Sequence, residues 1–295
     1  MQHTLIDPGT IRALLADAES SLAAGPHPER ARRDAEALVL YALRQNAPET
    51  NLAWLIAHSR EALAPHTASL LCALIVRRRT GEPIQHIIGE AEFYGLSFRV
   101  NRDVLIPRPE TEHMVEKTIA LATDFKHPRI VDVGTGSGAI AMTLALKLPA
   151  AEIYATENSA PALAVARQNA ERNGVVDRVR FLEGDLLNPV AGQHFEIVVS
   201  NPPYVPEGDR DALSVEVRDY EPAQALFAGP DGLDVYRRLI PAAFDALVPG
   251  GFLVLEIGYG QQAAIHALLK KEGFTAIEFT ADLQGIPRVA LARRS

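Results

Sequence analysis

Over the first 80 positions apolar residues recur with a helical period. Ile11, Leu14, Leu15, Ala18 and Leu22 share one face, and Ala35, Leu38, Val39 and Ala42 share another. The spacing predicts helices over roughly 8–24, 29–46, 49–58 and 65–80, packed as a small bundle. The period then shortens. Residues 93–100 alternate like a strand and lead into Val104-Leu105-Ile106, which predicts a hairpin. Pro107 and Pro109 stiffen the chain before a helix starting near Glu110. From Arg129 onward short apolar runs (130–133, 152–156, 179–183, 197–200, 252–257, 276–280 and 289–292) are separated by stretches of helical period such as 139–148 and 160–173. That alternation predicts an α/β fold with a mostly parallel, doubly wound sheet. The expected division is a helical domain over 1–85, a hairpin and linker over 86–112, and the α/β domain over 113–295.

Composition supports the division. Only three of the 20 glycines (Gly9, Gly25, Gly81) precede residue 85, where Ala, Leu, Arg and Glu dominate. Residues 1–80 hold nine basic and eight acidic side chains, and the remaining 215 hold 20 and 29, for a total of −8. This acidic balance argues against a stable nucleic-acid partner. The longest apolar runs, such as 70–76, fall far short of the ~18 residues of a membrane span. With Asp7 and Asp17 and no basic stretch before an apolar run, residues 1–19 read as neither signal nor transit peptide. Cys72 is the single cysteine. A cytoplasmic, monomeric protein is therefore expected, and nine scattered histidines without ligand-like pairing predict no metal.

Candidate chemistry begins at Asp132-Val133-Gly134-Thr135-Gly136-Ser137-Gly138, a buried strand running into a glycine-rich turn and a helix. Glycines let the backbone approach a ligand and present N–H groups at the helix start. Ala139 stands where the dinucleotide fingerprint G-x-G-x-x-G needs glycine. Glu157 ends the next strand, 23 residues after Gly134, where a carboxylate can accept both ribose hydroxyls. Asp185 ends the third strand, where an adenine amino group would lie. Asp132 can hold the amino group of an amino-acid-like ligand. A nucleoside-containing cofactor follows; a nicotinamide dinucleotide is one alternative, but a carboxylate so near a pyrophosphate loop tilts the reading toward S-adenosylmethionine.

The fourth strand runs into Asn201-Pro202-Pro203-Tyr204 at its carboxyl end, where open α/β sheets bind ligands. A planar amide or ring amino nitrogen is a poor nucleophile because its lone pair is delocalised. The Asn201 side-chain oxygen and the Pro202 carbonyl can each accept one of its hydrogens, aiming the nitrogen at a sulfonium methyl. The prolines stiffen the loop, and Tyr204 offers a flat face to the planar group.

Together, 132–138 and 201–204 resemble the class I S-adenosylmethionine-dependent methyltransferases that modify planar nitrogen. Further segments resemble the release factor glutamine methyltransferases (the HemK/PrmC family): Arg77-Arg78-Arg79-Thr80-Gly81-Glu82-Pro83-Ile84, Gly89–Leu96, Leu105-Ile106-Pro107-Arg108-Pro109-Glu110-Thr111-Glu112, Leu255-Glu256-Ile257-Gly258-Tyr259-Gly260-Gln261 and Asp282–Val289. The resemblance covers essentially the whole chain. It implies a seven-stranded Rossmann-like sheet preceded by a helical domain that grips the substrate. The implied activity is transfer of one methyl to the side-chain nitrogen of the glutamine in the Gly-Gly-Gln motif of peptide chain release factors. It also implies that Gly134–Gly138, Glu157 and Asn201 contact the cofactor, that Leu186, where some relatives carry an aromatic, packs on adenine without stacking, and that Asn201–Tyr204 receive the glutamine. Alternatives are a ribosomal-protein glutamine, an amino group of a DNA or RNA base, or a non-catalytic module with the same fold.

Other features have plain readings. Arg77–Arg79 reads as a solvated helix end, and Cys72 as core. Ser137 and Ser200 lack a hydrolase context. Glu110, Glu112 and Glu256 stay open between structural roles and a place beside the active site.

Overall fold

In the computed structural model, residues 9–295 are described. They form two units: one comprises the chain up to Gly89 together with Ser214–Tyr220, the other Glu90–Leu213 and Glu221–Ser295.

The first unit is helical: α1 Ile11–Ala23, α2 Ala31–Arg44, α3 Leu52–Ala57, α4 Pro65–Arg79 and α5 Ile84–Ile88. The expected start of the first helix at residue 8 lies outside the described residues; Thr10 caps it by accepting the Ala13 N–H. Ile11, Leu14, Ala18, Leu38 and Val39 close its core, as the periodicity predicts, together with Leu71 and Leu74 of α4. The short α5 was not foreseen; Pro83 starts it and Gly89, at φ +81°, ends it. Arg78 is a correction. It is 3% exposed, not solvated: Nε donates to Asp34 Oδ2 at 2.6 Å, and Nη1 donates to the Glu82 carbonyl at 2.9 Å and lies 2.6 Å from Glu216 Oε1.

The second unit begins with a hairpin, β1 Glu90–Phe93 and β2 Leu96–Arg99. Its two-residue turn places Tyr94 at φ +54° and Gly95 at φ +74°. Residues 104–106 are not a second arm, as the alternation suggested. Val104 and Ile106 instead bury themselves beside Ala162 and Val165, making an apolar contact that needs no ladder.

Next come α6 Glu112–Ala122, β3 Arg129–Val133, α7 Ala139–Lys147, β4 Glu152–Glu157, α8 Ala160–Arg172, β5 Val179–Glu183 and β6 Phe195–Ser200. After α9 Val215–Tyr220, which belongs to the helical unit, follow α10 Asp234–Ala246, β7 Leu247–Glu256, α11 Gln262–Glu272, β8 Phe274–Ala281 and β9 Pro287–Arg294. The seven-stranded sheet has the order β5-β4-β3-β6-β7-β9-β8, with β9 antiparallel to both neighbours and the other pairings parallel. The expected α/β, mostly parallel sheet and N-terminal helical bundle are what the chain forms. Ile130, Val131 and Val133 are at most 1% exposed, because helices cover both faces of a parallel sheet. The chain order reverses between β3 and β6, so their carboxyl ends open a crevice.

Candidate active site

A cavity of about 310 Å³ occupies that crevice, within the range of small-molecule sites. Its lining draws on the ends of β3, β4, β5 and β6. Gly134, Thr135, Gly136, Ser137, Glu157, Asp185, Leu186, Asn201, Pro202 and Pro203 all reach it. Phe93 and Leu105 add an apolar wall.

The glycine turn is held from below. Gly134 and Thr135 N–H donate to the Thr156 carbonyl at 2.9 and 3.0 Å, and Gly136 N–H donates to Glu157 Oε2 at 2.9 Å. Gly134 and Gly136 have φ of +72° and +55°, and a Cβ on either would meet no atom within 4 Å. The turn therefore leaves open space where side chains would stand. Gly138 is different and does not line the cavity: a Cβ there would come 2.2 Å from Met142 Cε and 3.3 Å from Ala166 Cβ. Its role is close packing of α7 on α8. Glu157 Oε1 accepts the Ser159 N–H at 2.9 Å, so both its oxygens are oriented by backbone.

Asp132 lies beneath the turn, fully buried and away from the lining. Oδ2 accepts the Thr135 hydroxyl at 2.6 Å, and Oδ1 makes no hydrogen bond of ordinary geometry. Burial pushes its carboxyl up to about 7, against the Thr135 hydroxyl and the Ala141 backbone N–H, which favour its charged form. Asp185 is half-exposed and paired with Arg238, another cavity residue. Leu186 takes φ +49°, an uncommon backbone for a leucine.

On the facing side Ser200 Oγ donates to the Val133 carbonyl at 2.7 Å, tying the ends of β6 and β3 together. Asn201 Nδ2 donates to Thr111 Oγ1 at 3.2 Å, and Thr111 Oγ1 donates to Glu256 Oε2 at 2.5 Å. Tyr204 does not line the cavity. Its phenol donates to Glu256 Oε1 at 3.4 Å and its carbonyl accepts Gln261 Nε2 at 2.9 Å. Burial and the neighbouring Glu256 hold that phenol well above its ordinary value. Burial likewise lifts Glu256 from 4.5 to about 7, against the Thr111 hydroxyl and the Arg288 charge. Close approach requires Gly232, where a Cβ would stand 2.2 Å from the Tyr204 carbonyl oxygen.

Two positions escaped the sequence reading. Asn169, fully buried on α8, exchanges hydrogen bonds with the Arg99 backbone and donates Nδ2 to the Ser137 carbonyl at 2.9 Å, linking hairpin to glycine turn. Its position on the apolar face with Ala162, Val165 and Ala166 was the available signal. Thr111 is 4% exposed and had no signal beyond its place in the 105–112 segment. Among the described residues no group of three or more His, Cys, Asp or Glu side chains is placed to hold a metal ion, and no helix is long and apolar enough to cross a membrane.

Comparison with known proteins gives this geometry a family. The model of the PrmC N-terminal domain matches residues 13–89, and that of the methyltransferase small domain matches 113–218. The release factor glutamine methyltransferase of Moorella thermoacetica is 42% identical over 286 residues, covering 97% of this chain and 99% of its own. That of Geobacter sulfurreducens is 44% identical over 231 residues, 78% of this chain and 80% of its own. Among solved structures, the hMettl16 catalytic domain (TM-score 0.56, 18% identity, 78% of this chain and 82% of that one) shares the fold. So does a T. thermophilus 16S rRNA N2 methyltransferase (TM-score 0.51, 18% identity, 70% of this chain and 50% of that one). The chain belongs to the release factor glutamine methyltransferase family.

Proposed function

We propose that this chain transfers one methyl from S-adenosylmethionine to the side-chain amide nitrogen of the glutamine in the Gly-Gly-Gln motif of peptide chain release factors, in the cytoplasm where translation ends. The supporting observation is the placement of Asn201-Pro202-Pro203 on the same cavity as Glu157 and the glycine turn, in a chain that aligns over nearly its whole length with the Moorella thermoacetica relative.

The residues fit the cofactor. Gly134 and Gly136 leave a cradle that any Cβ would fill, and Glu157 faces the cavity with both oxygens ordered to accept hydroxyl donors. Leu186 supplies an apolar contact, with Asp185 and Arg238 beside it. S-adenosylmethionine, when bound, supplies an electrophilic methyl on a sulfonium sulfur that departs as a neutral thioether. The chain's own contribution is to orient a weak nucleophile. Asn201 Oδ1 accepts one amide hydrogen and the Pro202 carbonyl the other, aiming the lone pair, which stands perpendicular to the amide plane, at the methyl and stabilising positive charge as it develops. Pro202 and Pro203 carry no N–H to compete for the substrate carbonyl and limit the loop to one backbone course. The proton leaves the methylated nitrogen for solvent, so no side chain is needed as a general base.

The test is methyl transfer from labelled S-adenosylmethionine to a purified release factor, with the modified peptide mapped by mass spectrometry. One methyl on the Gly-Gly-Gln glutamine, absent when that glutamine is replaced, is expected. Transfer to a ribosomal protein or a nucleic acid alone would overturn the assignment.

A further inference from the structure

We infer that Thr111 and Glu256 are positioning residues that fix which end of the Asn201 side chain faces the cavity. The inference rests on the reading of Asn201 as the acceptor of a substrate N–H. That role demands one orientation. A carboxamide has an accepting oxygen at one end and a donating nitrogen at the other, of nearly equal size, so packing alone does not choose between them.

The hydrogen bonds do choose. A threonine hydroxyl has one hydrogen. Thr111 gives it to Glu256 Oε2 across 2.5 Å, the length of a charge-assisted O–H···O⁻ bond. Toward Asn201 it is left with a lone pair, which Nδ2 satisfies at 3.2 Å. A flipped carboxamide would set Oδ1 against that lone pair with no hydrogen between them. Oδ1 is thereby turned away from Thr111, free to accept a substrate hydrogen.

Glu256 is itself held in place. Oε1 accepts the Tyr204 phenol at 3.4 Å, and the backbone carbonyl of Glu256 accepts the Tyr236 hydroxyl at 2.7 Å. With Thr111 4% and Glu256 3% exposed, water has little access to either. One carboxyl group thus organises both ends of the Asn201–Tyr204 loop, through hydroxyls that begin α6 and follow β6.

Thr111→Val removes the hydroxyl at constant shape, and Thr111→Ser restores it. Three readouts are compared: methyl transfer to a release factor, equilibrium binding of S-adenosylhomocysteine, and exchange protection of the Asn201 side-chain N–H protons in proton–nitrogen NMR spectra, assigned by their loss in Asn201→Ser. Thr111→Val should lower kcat by roughly 10- to 100-fold, leave KM and S-adenosylhomocysteine affinity near wild type, and abolish protection. Thr111→Ser should recover most of the rate and the protection. Wild-type kcat in Thr111→Val, or equal losses in both variants, overturns the inference. Should the wild-type enzyme leave the release factor unmethylated, the proposed function fails. The lock is then decided by the spectra alone: protection lost in Thr111→Val and kept in Thr111→Ser supports it, and protection unchanged overturns it. If Thr111→Val does not fold, Thr111→Ala is read in the same assays.

Discussion

Buried charge is held under opposite rules at the Arg78 cluster of the helical unit and beside the cavity of the α/β unit. In the helical unit Arg78 meets two carboxylates, Asp34 and Glu216, and Glu216 also receives Arg30 at 3.1 Å. In the α/β unit Asp132 and Glu256 are as deeply buried, yet at hydrogen-bond distance they meet hydroxyls in place of cations. A buried charge facing its opposite works as a structural clasp. A buried carboxyl facing neutral donors stays close to titration at neutral pH, an arrangement that concentrates at functional sites. The cavity lies beside the second kind.

The largest effect should come from removing the clasp. Arg78→Ala leaves Asp34 buried without its cation, while Glu216 keeps Arg30, and stability should fall by about 3–5 kcal/mol. Arg78→Met, which fills the space without donors, should recover little of it, since the stranded Asp34 carboxylate remains. Denaturant titration followed by circular dichroism measures both. A loss below about 1 kcal/mol, the range of a surface pair, would place Arg78 among solvated charges after all.

The next effect belongs to the site. Asn201→Ala should lower kcat by about 100- to 1,000-fold, the scale of losing one preorganised partner of developing charge. The unfolding midpoint should barely move, because Asn201 is only half-buried and gives up a single 3.2 Å bond. Near-normal turnover would remove the amide clamp from the mechanism.

How much of this was written legibly in the chain depends on range. Strand and helix alternation is local, and it disclosed the sheet; the glycine turn and Asn201-Pro202-Pro203 are contiguous, and they reach one cavity as expected. Arg78 was misread because three adjacent arginines look like a solvated end. Its spacing from Thr67, Leu71 and Leu74, all buried, continues the apolar face of α4 and was the better guide. Tyr204 was placed against the substrate because it adjoins the prolines, whereas its phenol turns to Glu256. Thr111 and Glu256 are 145 positions apart, and no period or spacing joins them before the sheet is assembled.

The smallest effect distinguishes the two kinds of buried charge by pH. Glu256 faces Thr111 and Glu110 from the turn before α6, Tyr204 from the loop after β6, Tyr236 from α10 and Arg288 from β9. With its carboxyl raised from 4.5 to about 7, the folded protein holds this proton more tightly than the unfolded chain does. Between those values the folded state binds more protons, so stability contributed by Glu256 falls as pH rises and levels off above 7. Glu256→Gln keeps an acceptor for the Thr111 hydroxyl but cannot ionise. Its Tm relative to wild type should therefore rise by several degrees between pH 5 and pH 8, on the order expected from about 2–3 kcal/mol in a protein of this size. Asp132, also near 7, remains in both proteins and cancels from the difference. Catalysis should show the opposite slope. The ionised form accepts the Thr111 hydrogen and keeps the Asn201 oxygen turned outward, so wild-type kcat should fall as pH drops below 7. Glu256→Gln should flatten that limb. Parallel Tm and kcat profiles for the two proteins would mean that Glu256 does not titrate in this range, and the contrast with the Arg78 clasp would vanish.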